Sequence, residues 1–382
     1  MVGTLTEAAR HILLAGGGHA HAVALRHLIR RPPSSSVRIS VVNPGPRNMY
    51  SGALPGVIAG HWPADAIGVN VQALCGAAGA EFIEDAVTGL DPDRRIARLT
   101  SGREIAFDLL GLDIGSLIRP LNVPDPGSMI APIRPIGPFL SRWDMAVEGM
   151  ANGKLSPAVM VVGAGLAGVE VCLAIRHRLS AAFAVPPRIY LADAQEAIAT
   201  TNHPSLRRKL NAALRRADVT CLLGNRVEAC EDGVVYLSGG QTAAVSLIVN
   251  CAGSAPHAWL TDTGLAMKDG RVEVDECLRS TSHPHVWAAG DTSFFKKHKL
   301  PPAGVFAVRA GPVIAENIRR YSLGEALTLF RPQGDYLKLV SLGERHAVAE
   351  KYGIALEGGW VWDLKKSIDF SFLRAHDFTA RH

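Results

Sequence analysis

The sequence predicts an α/β protein with two Rossmann-type dinucleotide-binding domains and a small α+β domain at its C-terminal end. Three observations predict it. A strand, a glycine turn, a helix and a strand follow one another near the start of the chain, the same order recurs near residue 158, and 382 residues exceed the roughly 100–200 of a single domain. Apolar residues make up 48% and charged residues 20%, which excludes disordered and collagen-like classes. The net charge of +5 is spread along the chain without basic blocks or aromatic ladders. That speaks against nucleic acid and leaves an anionic cofactor or membrane surface open. Six cysteines form no C-x-x-C pair, so neither a zinc site nor a disulfide framework is indicated and a reducing cytoplasm fits. Residues Met1 to Arg10 hold no apolar core flanked by positive charge, so a signal peptide is not expected.

The first unit opens with the apolar strand His11-Ile12-Leu13-Leu14-Ala15, turns at Gly16-Gly17-Gly18, runs as a helix from His19-Ala20-His21 to near Arg31, and ends in a strand from Val37 to Val42. The second runs from Val159-Met160-Val161-Val162 through Gly163-Ala164-Gly165-Leu166-Ala167-Gly168 and a helix to the strand Arg188-Ile189-Tyr190-Leu191-Ala192. Between Ala158 and Ile175 the only charge is Glu170, so a hydropathy window would score a membrane span. The glycine break argues instead for a buried strand, a turn and a buried helix. In such a unit the first glycine permits the turn, the second lets the backbone approach a pyrophosphate, and the third lets the helix pack closely on the strand. The phosphates rest on N–H groups at the positive end of the helix. The nucleotide contacts expected are therefore Gly16, Gly18, His19 and Ala20 in the first unit and Gly163, Gly165 and Gly168 in the second; His21 takes the third-glycine place in the first. Asp193 ends the later strand 25 residues after Gly168 and no arginine follows at once, which favours NADH over NADPH. It could equally cap the next turn. Asn43, a neutral residue, stands at the corresponding place in the first unit.

These motifs resemble those of the two-dinucleotide-binding flavoproteins, the superfamily that includes the pyridine nucleotide-disulfide oxidoreductases and type II NADH dehydrogenases. A third superfamily motif is matched by Thr281 to Asp291, ending Ala288-Ala289-Gly290-Asp291, and glycine-ended domain joints are matched by Asp108 to Ser116, with Gly115, and by Val249 to Gly253. More narrowly, Gly16 to His21, Tyr50 to Gly56 and Ala303 to Arg309 are similar to an NADH dehydrogenase-like subgroup whose members occur alone or joined to selenophosphate synthetase. The resemblance implies nested three-layer ββα domains: FAD-binding over 1–145 and 255–322, NAD(P)H-binding over 146–254, and a C-terminal acceptor-side or interface domain over 323–382. It also implies FAD and NADH as cofactors, contacts from Gly115, Gly253, Gly290 and Asp291, and hydride transfer to flavin followed by release of the electrons to a second acceptor.

Acceptor signatures divide the superfamily. Its disulfide reductases carry a cysteine pair soon after the first unit, but Tyr50-Ser51-Gly52-Ala53-Leu54-Pro55 holds none, so a dithiol relay is not expected. Its sulfide:quinone oxidoreductases need paired cysteines near the flavin, whereas Cys172 and Cys251 read as small buried hydrophobes. Quinone is the first expectation, in the manner of type II NADH dehydrogenases. A sulfur or selenium species, or a non-catalytic NADH-sensing flavoprotein, are the alternatives. Val305 and Arg309 stand where two glutamines are usual beside the quinone; Arg309 could stabilise negative charge on a reduced flavin or bind an anionic acceptor, or form a surface ion pair. Glu170 lies one turn into the second helix, near the nicotinamide by resemblance, or is a first-turn acid alone. His19 and His21 read as hydrogen-bonding or packing groups. Near the C-terminus Trp360, Leu364, Ile368 and Phe372 recur at four-residue steps beside Lys365, Lys366 and Arg374. That face suits a bilayer interface, packing on its own domain, or a homodimer contact. A cytoplasmic protein with peripheral membrane contact is the resulting expectation.

Overall fold

The computed structural model describes residues 9–124, 129–297, 300–301 and 303–378. The leading segment in which no signal peptide is expected lies outside them as far as residue 8. Strand β1 (Arg10–Ala15) is buried throughout after Arg10, as a strand covered on both faces must be. Three glycines turn the chain into helix α1 (His19–Arg30), and β2 (Val37–Asn43) returns parallel to β1 with Ile12 opposite Ile39 and Ala15 opposite Val42. Strands β3 (Glu81–Glu84) and β4 (Leu109–Leu112) lie outside β2 and β1 respectively.

The chain then builds a second parallel sheet. Its elements are β5 (Ile130–Pro132), helix α2 (Ile136–Ala151), β6 (Ala158–Val162), helix α3 (Leu166–Ala182), β7 (Arg188–Asp193), helix α4 (Pro204–Arg216), β8 (Thr220–Leu223) and β9 (Leu247–Asn250). The spatial order is β5-β9-β6-β7-β8. The chain comes back as β10 (Val286–Ala288), parallel to β4, completing a first sheet of order β10-β4-β1-β2-β3. The second sheet is thus inserted into the first. Between β3 and β4 lies a three-stranded antiparallel meander (Val87–Asp91, Ile96–Leu99, Glu104–Ala106), and between β8 and β9 lies its counterpart (Val227–Glu231, Val234–Leu237, Thr242–Ala244). These supply the third layer of each ββα domain. The crossing falls ahead of residue 146, because β5 already pairs with β9, the buried Ala131 opposite Val249. Outward and returning segments run side by side, Leu117 paired with Ala255 and Ile118 with Ser254.

The apolar run over 158–175 is β6, the glycine turn and the start of α3. No helix among the described residues is long and apolar enough to cross a membrane. Helix α5 (Gly304–Leu323) packs along α1. Beyond it, β11 (Lys338–Ser341), β12 (Ala347–Lys351) and β13 (Ile354–Gly358) form an antiparallel sheet covered by helix α6 (Gly359–Ala375). The first three members of the four-residue rhythm mark the outer side of α6, while the fourth, Phe372, is half-buried and turned to the first sheet's cleft. Trp360, Leu364 and Ile368 are exposed, while Val361, Trp362, Lys365, Asp369 and Leu373 are buried. The small Ala347 and Ala349 beneath leave room for Trp362, and the far end of the helix meets polar partners described below.

Candidate active site

The C-terminal ends of the first sheet open on a cleft of 560 Å³, at the crevice where open parallel sheets take ligands. Gly16–Gly18, Asn43, Asp113, Arg134, Asp291 and Phe372 contribute to its walls. Both glycine turns are fastened in one way. The Gly17 N–H donates to Asn43 Oδ1 at 2.8 Å. In the second unit the Ala164 N–H donates to Asp193 Oδ2 at 2.5 Å, and Asp193 Oδ1 accepts from the Gln195 N–H at 2.8 Å. Each strand-end side chain therefore shapes the loop that would meet phosphate. No local spacing marks Asn48, whose Nδ2 donates to the Gly17 carbonyl at 2.7 Å.

His21 replaces a glycine because its ring has somewhere to go. The ring is buried, Nδ1 lies 2.6 Å from the Gly16 carbonyl, and burial holds the imidazole below its ordinary value. A Cβ on Gly111 in β4 would lie 2.8 Å from His21 Nε2, so the missing third glycine is matched by a glycine on the neighbouring strand. His19 borders the cleft among aromatic rings, 5.3 Å from Tyr50, and Tyr50 stacks at 4.7 Å on Phe372 from α6.

The third motif and the joints converge. Asp291 Oδ2 accepts from Arg134 Nη1 at 2.9 Å and from Ser116 Oγ at 3.0 Å, next to the Gly115 turn. Burial alone would raise the Asp291 carboxyl, but the Arg134 guanidinium and these hydrogen bonds outweigh it and hold the group below the usual range. Arg134 lies 157 positions from Asp291, and nothing local in the sequence announces it. At the other joint the Gly253 carbonyl accepts from the Arg119 N–H at 3.0 Å.

Glu170 faces the C-terminal domain. Its Oε1 accepts from the Ser341 N–H at 2.7 Å and lies 3.8 Å from Lys365 Nζ. Lys365 donates to Asp369 Oδ2 at 2.9 Å and to the Gly52 carbonyl at 2.6 Å, and the Tyr50 hydroxyl donates to Asp369 Oδ1 at 3.1 Å. A buried polar chain thus leads from α3 through α6 to a tyrosine on the cleft wall. Burial pushes the Glu170 carboxyl up, with Lys365 opposing it. Burial would lower Lys365, but Glu170 and Asp369 raise it. The structure differs from expectation on α5: Ala303, Gly304 and Ala307 border the cleft, Val305 is half-buried, and Arg309 is exposed. At about 100° per residue, Arg309 lies roughly 200° round the helix from Ala307. Among the described residues no cysteine borders the cleft, and burial pushes the Cys251 thiol up to about 12.

The first glycine loop with the Asp291–Arg134 pair suits the pyrophosphate and polyol of a flavin dinucleotide. At the second loop a Cβ on Gly165 would meet nothing within 4 Å, which leaves backbone free for a second nucleotide. Comparisons agree with this layout. Two NADH dehydrogenase-like proteins of Mycobacterium tuberculosis are each 33% identical over 236 residues, covering 58% of this chain and 57% of theirs. The matched stretch therefore spans little more than half the length of those relatives. Ferroptosis suppressor protein 1 of Taeniopygia guttata is 27% identical over 290 residues, 72% of each chain. In fold, the sulfide:quinone oxidoreductase of Aquifex aeolicus superposes with a TM-score of 0.79 over 96% of this chain and 91% of that one, at 16% identity. Residues 10–311 match a single family description: the chain belongs to the pyridine nucleotide-disulphide oxidoreductases, flavoprotein enzymes that use FAD and a nicotinamide nucleotide.

Proposed function

We propose that the chain oxidises NADH held at the Gly163–Gly168 loop, with FAD in the first cleft, and delivers the electrons to a quinone on the α6 side. The observation that carries this reading is the buried chain Glu170–Lys365–Asp369–Tyr50, which links the nucleotide-binding helix α3 to the aromatic wall of the cleft. Bound FAD would supply the chemistry that takes a hydride from NADH and returns two electrons. Reducing a quinone to a quinol consumes one proton beyond that hydride, and the polar chain is placed to supply it. Tyr50 Oη stays protonated because burial and Asp369 push the phenol well above its ordinary value. As its hydroxyl turns from Asp369 towards the acceptor and gives up its proton, Lys365 passes one on through Asp369 and takes one back from solvent at its 11% exposed edge, so each turnover draws one proton from water. Tyr50→Phe is expected to lower quinone reduction about 100-fold while anaerobic bleaching by NADH persists; equal loss of both would remove Tyr50 from the acceptor step.

Asp193 at the edge of the second loop would oppose a 2′-phosphate, which favours NADH. A sulfur carrier is less well supported, since no cysteine among the described residues faces the cleft. The deciding experiment is a flavin spectrum of the purified protein, followed by NADH without oxygen and then quinone, disulfide or oxygen in turn. Bleaching by NADH and rapid recovery with quinone alone is the expected result. Recovery with disulfide in preference to quinone overturns the acceptor, and faster bleaching by NADPH overturns the role of Asp193.

The outer face of α6 and β13 supports contact with a bilayer, where a quinone resides. Trp360 is 55% exposed, Ile368 44% and Ile354 67%, with Lys366 and Arg345 alongside over the Trp362 ring. Trp360→Ser combined with Ile368→Ser is expected to abolish flotation with anionic liposomes and leave the fold intact. Unchanged flotation would remove this face from membrane contact.

A further inference from the structure

We propose that Asp113 is a resident anion in the first nucleotide cradle and keeps FAD exchangeable; the inference rests on the FAD reading above. Asp113 follows the last residue of β4 and is 4% exposed. Its Oδ2 accepts from the Ala20 N–H at 2.7 Å and the His21 N–H at 3.0 Å, first-turn donors of the kind a helix offers to a phosphate. Three motif glycines close around it. A Cβ on Gly18 would lie 2.5 Å from Asp113 Cγ, one on Gly16 would lie 2.4 Å from the Asp113 carbonyl oxygen, and one on Gly290 would lie 3.0 Å from Asp113 Oδ1. In the first cradle Gly18 and Gly290 therefore admit a carboxylate of the chain itself, and Gly16 admits the backbone that carries it.

The second cradle is an internal control. Leu112-Asp113-Ile114-Gly115 and Asn250-Cys251-Ala252-Gly253 occupy the same place, since a Cβ on Gly16 would strike Asp113 and Ile114 while one on Gly163 would strike Cys251 and Ala252. A thiol there replaces the carboxylate, and Gly165, the counterpart of Gly18, meets nothing within 4 Å. The two loops share a backbone plan and differ in where the carboxylate stands: at the floor, against the first turn of the helix, in the first (Asp113) and at the strand end in the second (Asp193, where the first has neutral Asn43). In the first, that charge takes two donors and offsets the positive end of α1. Arg134 in the same cleft is already paired with Asp291. A pyrophosphate entering the first cradle therefore meets a like charge, which costs affinity.

The test is FAD binding to apoprotein by fluorescence titration, for the wild type, Asp113→Asn and Asp113→Ala. Asparagine keeps an oxygen for the Ala20 and His21 donors and removes the charge; alanine releases the donors as well. Both variants are expected to bind FAD about tenfold or more tightly with NADH affinity unchanged. Wild-type holoprotein is expected to lose flavin on gel filtration at micromolar concentration and to recover it on addition of FAD. Equal or weaker FAD binding by folded variants overturns the role of Asp113. So does full retention of flavin by the wild type after extended dilution, a readout that needs no variant. Failure of all three proteins to bind FAD overturns the cofactor reading, and the role of Asp113 falls with it.

Discussion

Replacing Lys365 with Met is expected to destabilise the protein by about 3–5 kcal/mol, the usual consequence of removing one partner from a buried charge cluster. Lys365 holds three parts of the chain together. Its ammonium reaches Glu170 on α3, Asp369 on α6 and the Gly52 carbonyl beside the first cleft, and the side chain is 11% exposed. Methionine fills similar volume but leaves two buried carboxylates with no cation between them. The effect depends on pH, and its sign follows from Glu170. Burial already raises that carboxyl and Lys365 is the main group opposing the rise, so in the variant the folded state retains a proton that the unfolded chain releases near its ordinary value of about 4.3. Between those two values the folded state binds more protons than the unfolded state, and stability falls as pH rises. Urea unfolding followed by tryptophan fluorescence should therefore show a larger deficit at pH 8 than at pH 5. A deficit below about 1 kcal/mol, or one that ignores pH, would show that the cluster is solvated.

What could be read from sequence and what could not divides along one physical line. The strands β1 and β6 were legible because continuous apolar runs ending in glycine have few alternatives, and the doubled pattern gave two parallel sheets. Direction across space was not legible. Glu170 was placed correctly near the start of α3, yet its partner Ser341 lies 171 positions away; no local spacing encodes that. On α6 the four-residue rhythm grouped Trp360, Leu364, Ile368 and Phe372 on one side, but periodicity does not say which side faces inward, and Phe372 stacks on Tyr50 at the cleft instead of facing outward with the other three. The buried side includes Lys365 and Asp369 because Glu170 and Tyr50 lie beneath them. Arg309 shows the same limit: the helix was legible and its rotation was not. Asp113 stood in plain view within a glycine-ended joint, and only the approach of α1 reveals what its carboxylate does.

Valine at Gly165 is expected to separate ligand binding from folding. Gly165 has an extended backbone, φ −67° and ψ 177°, which any residue adopts, and a Cβ there would meet nothing within 4 Å. The folded chain therefore accepts a Cβ, and valine at this helix N-cap is expected to cost no more than about 1 kcal/mol. A nucleotide held as proposed would not accept it, because the second glycine of such a turn is the one over which a pyrophosphate approaches the backbone. An overlap worth about 2–3 kcal/mol weakens NADH roughly 30–150-fold, while flavin content stays at the wild-type level because the first cradle is built by other residues. Alanine at Gly168 is the contrasting case. Its Cβ would fall 1.8 Å from the Gly163 carbonyl oxygen, so α3 would have to move off β6 and stability would fall together with binding. Titration of NADH against the oxidised flavoprotein, alongside thermal melting, distinguishes the two. A Gly165→Val protein that binds NADH as tightly as the wild type would show that the second loop holds no pyrophosphate, and the nicotinamide nucleotide would have to bind elsewhere.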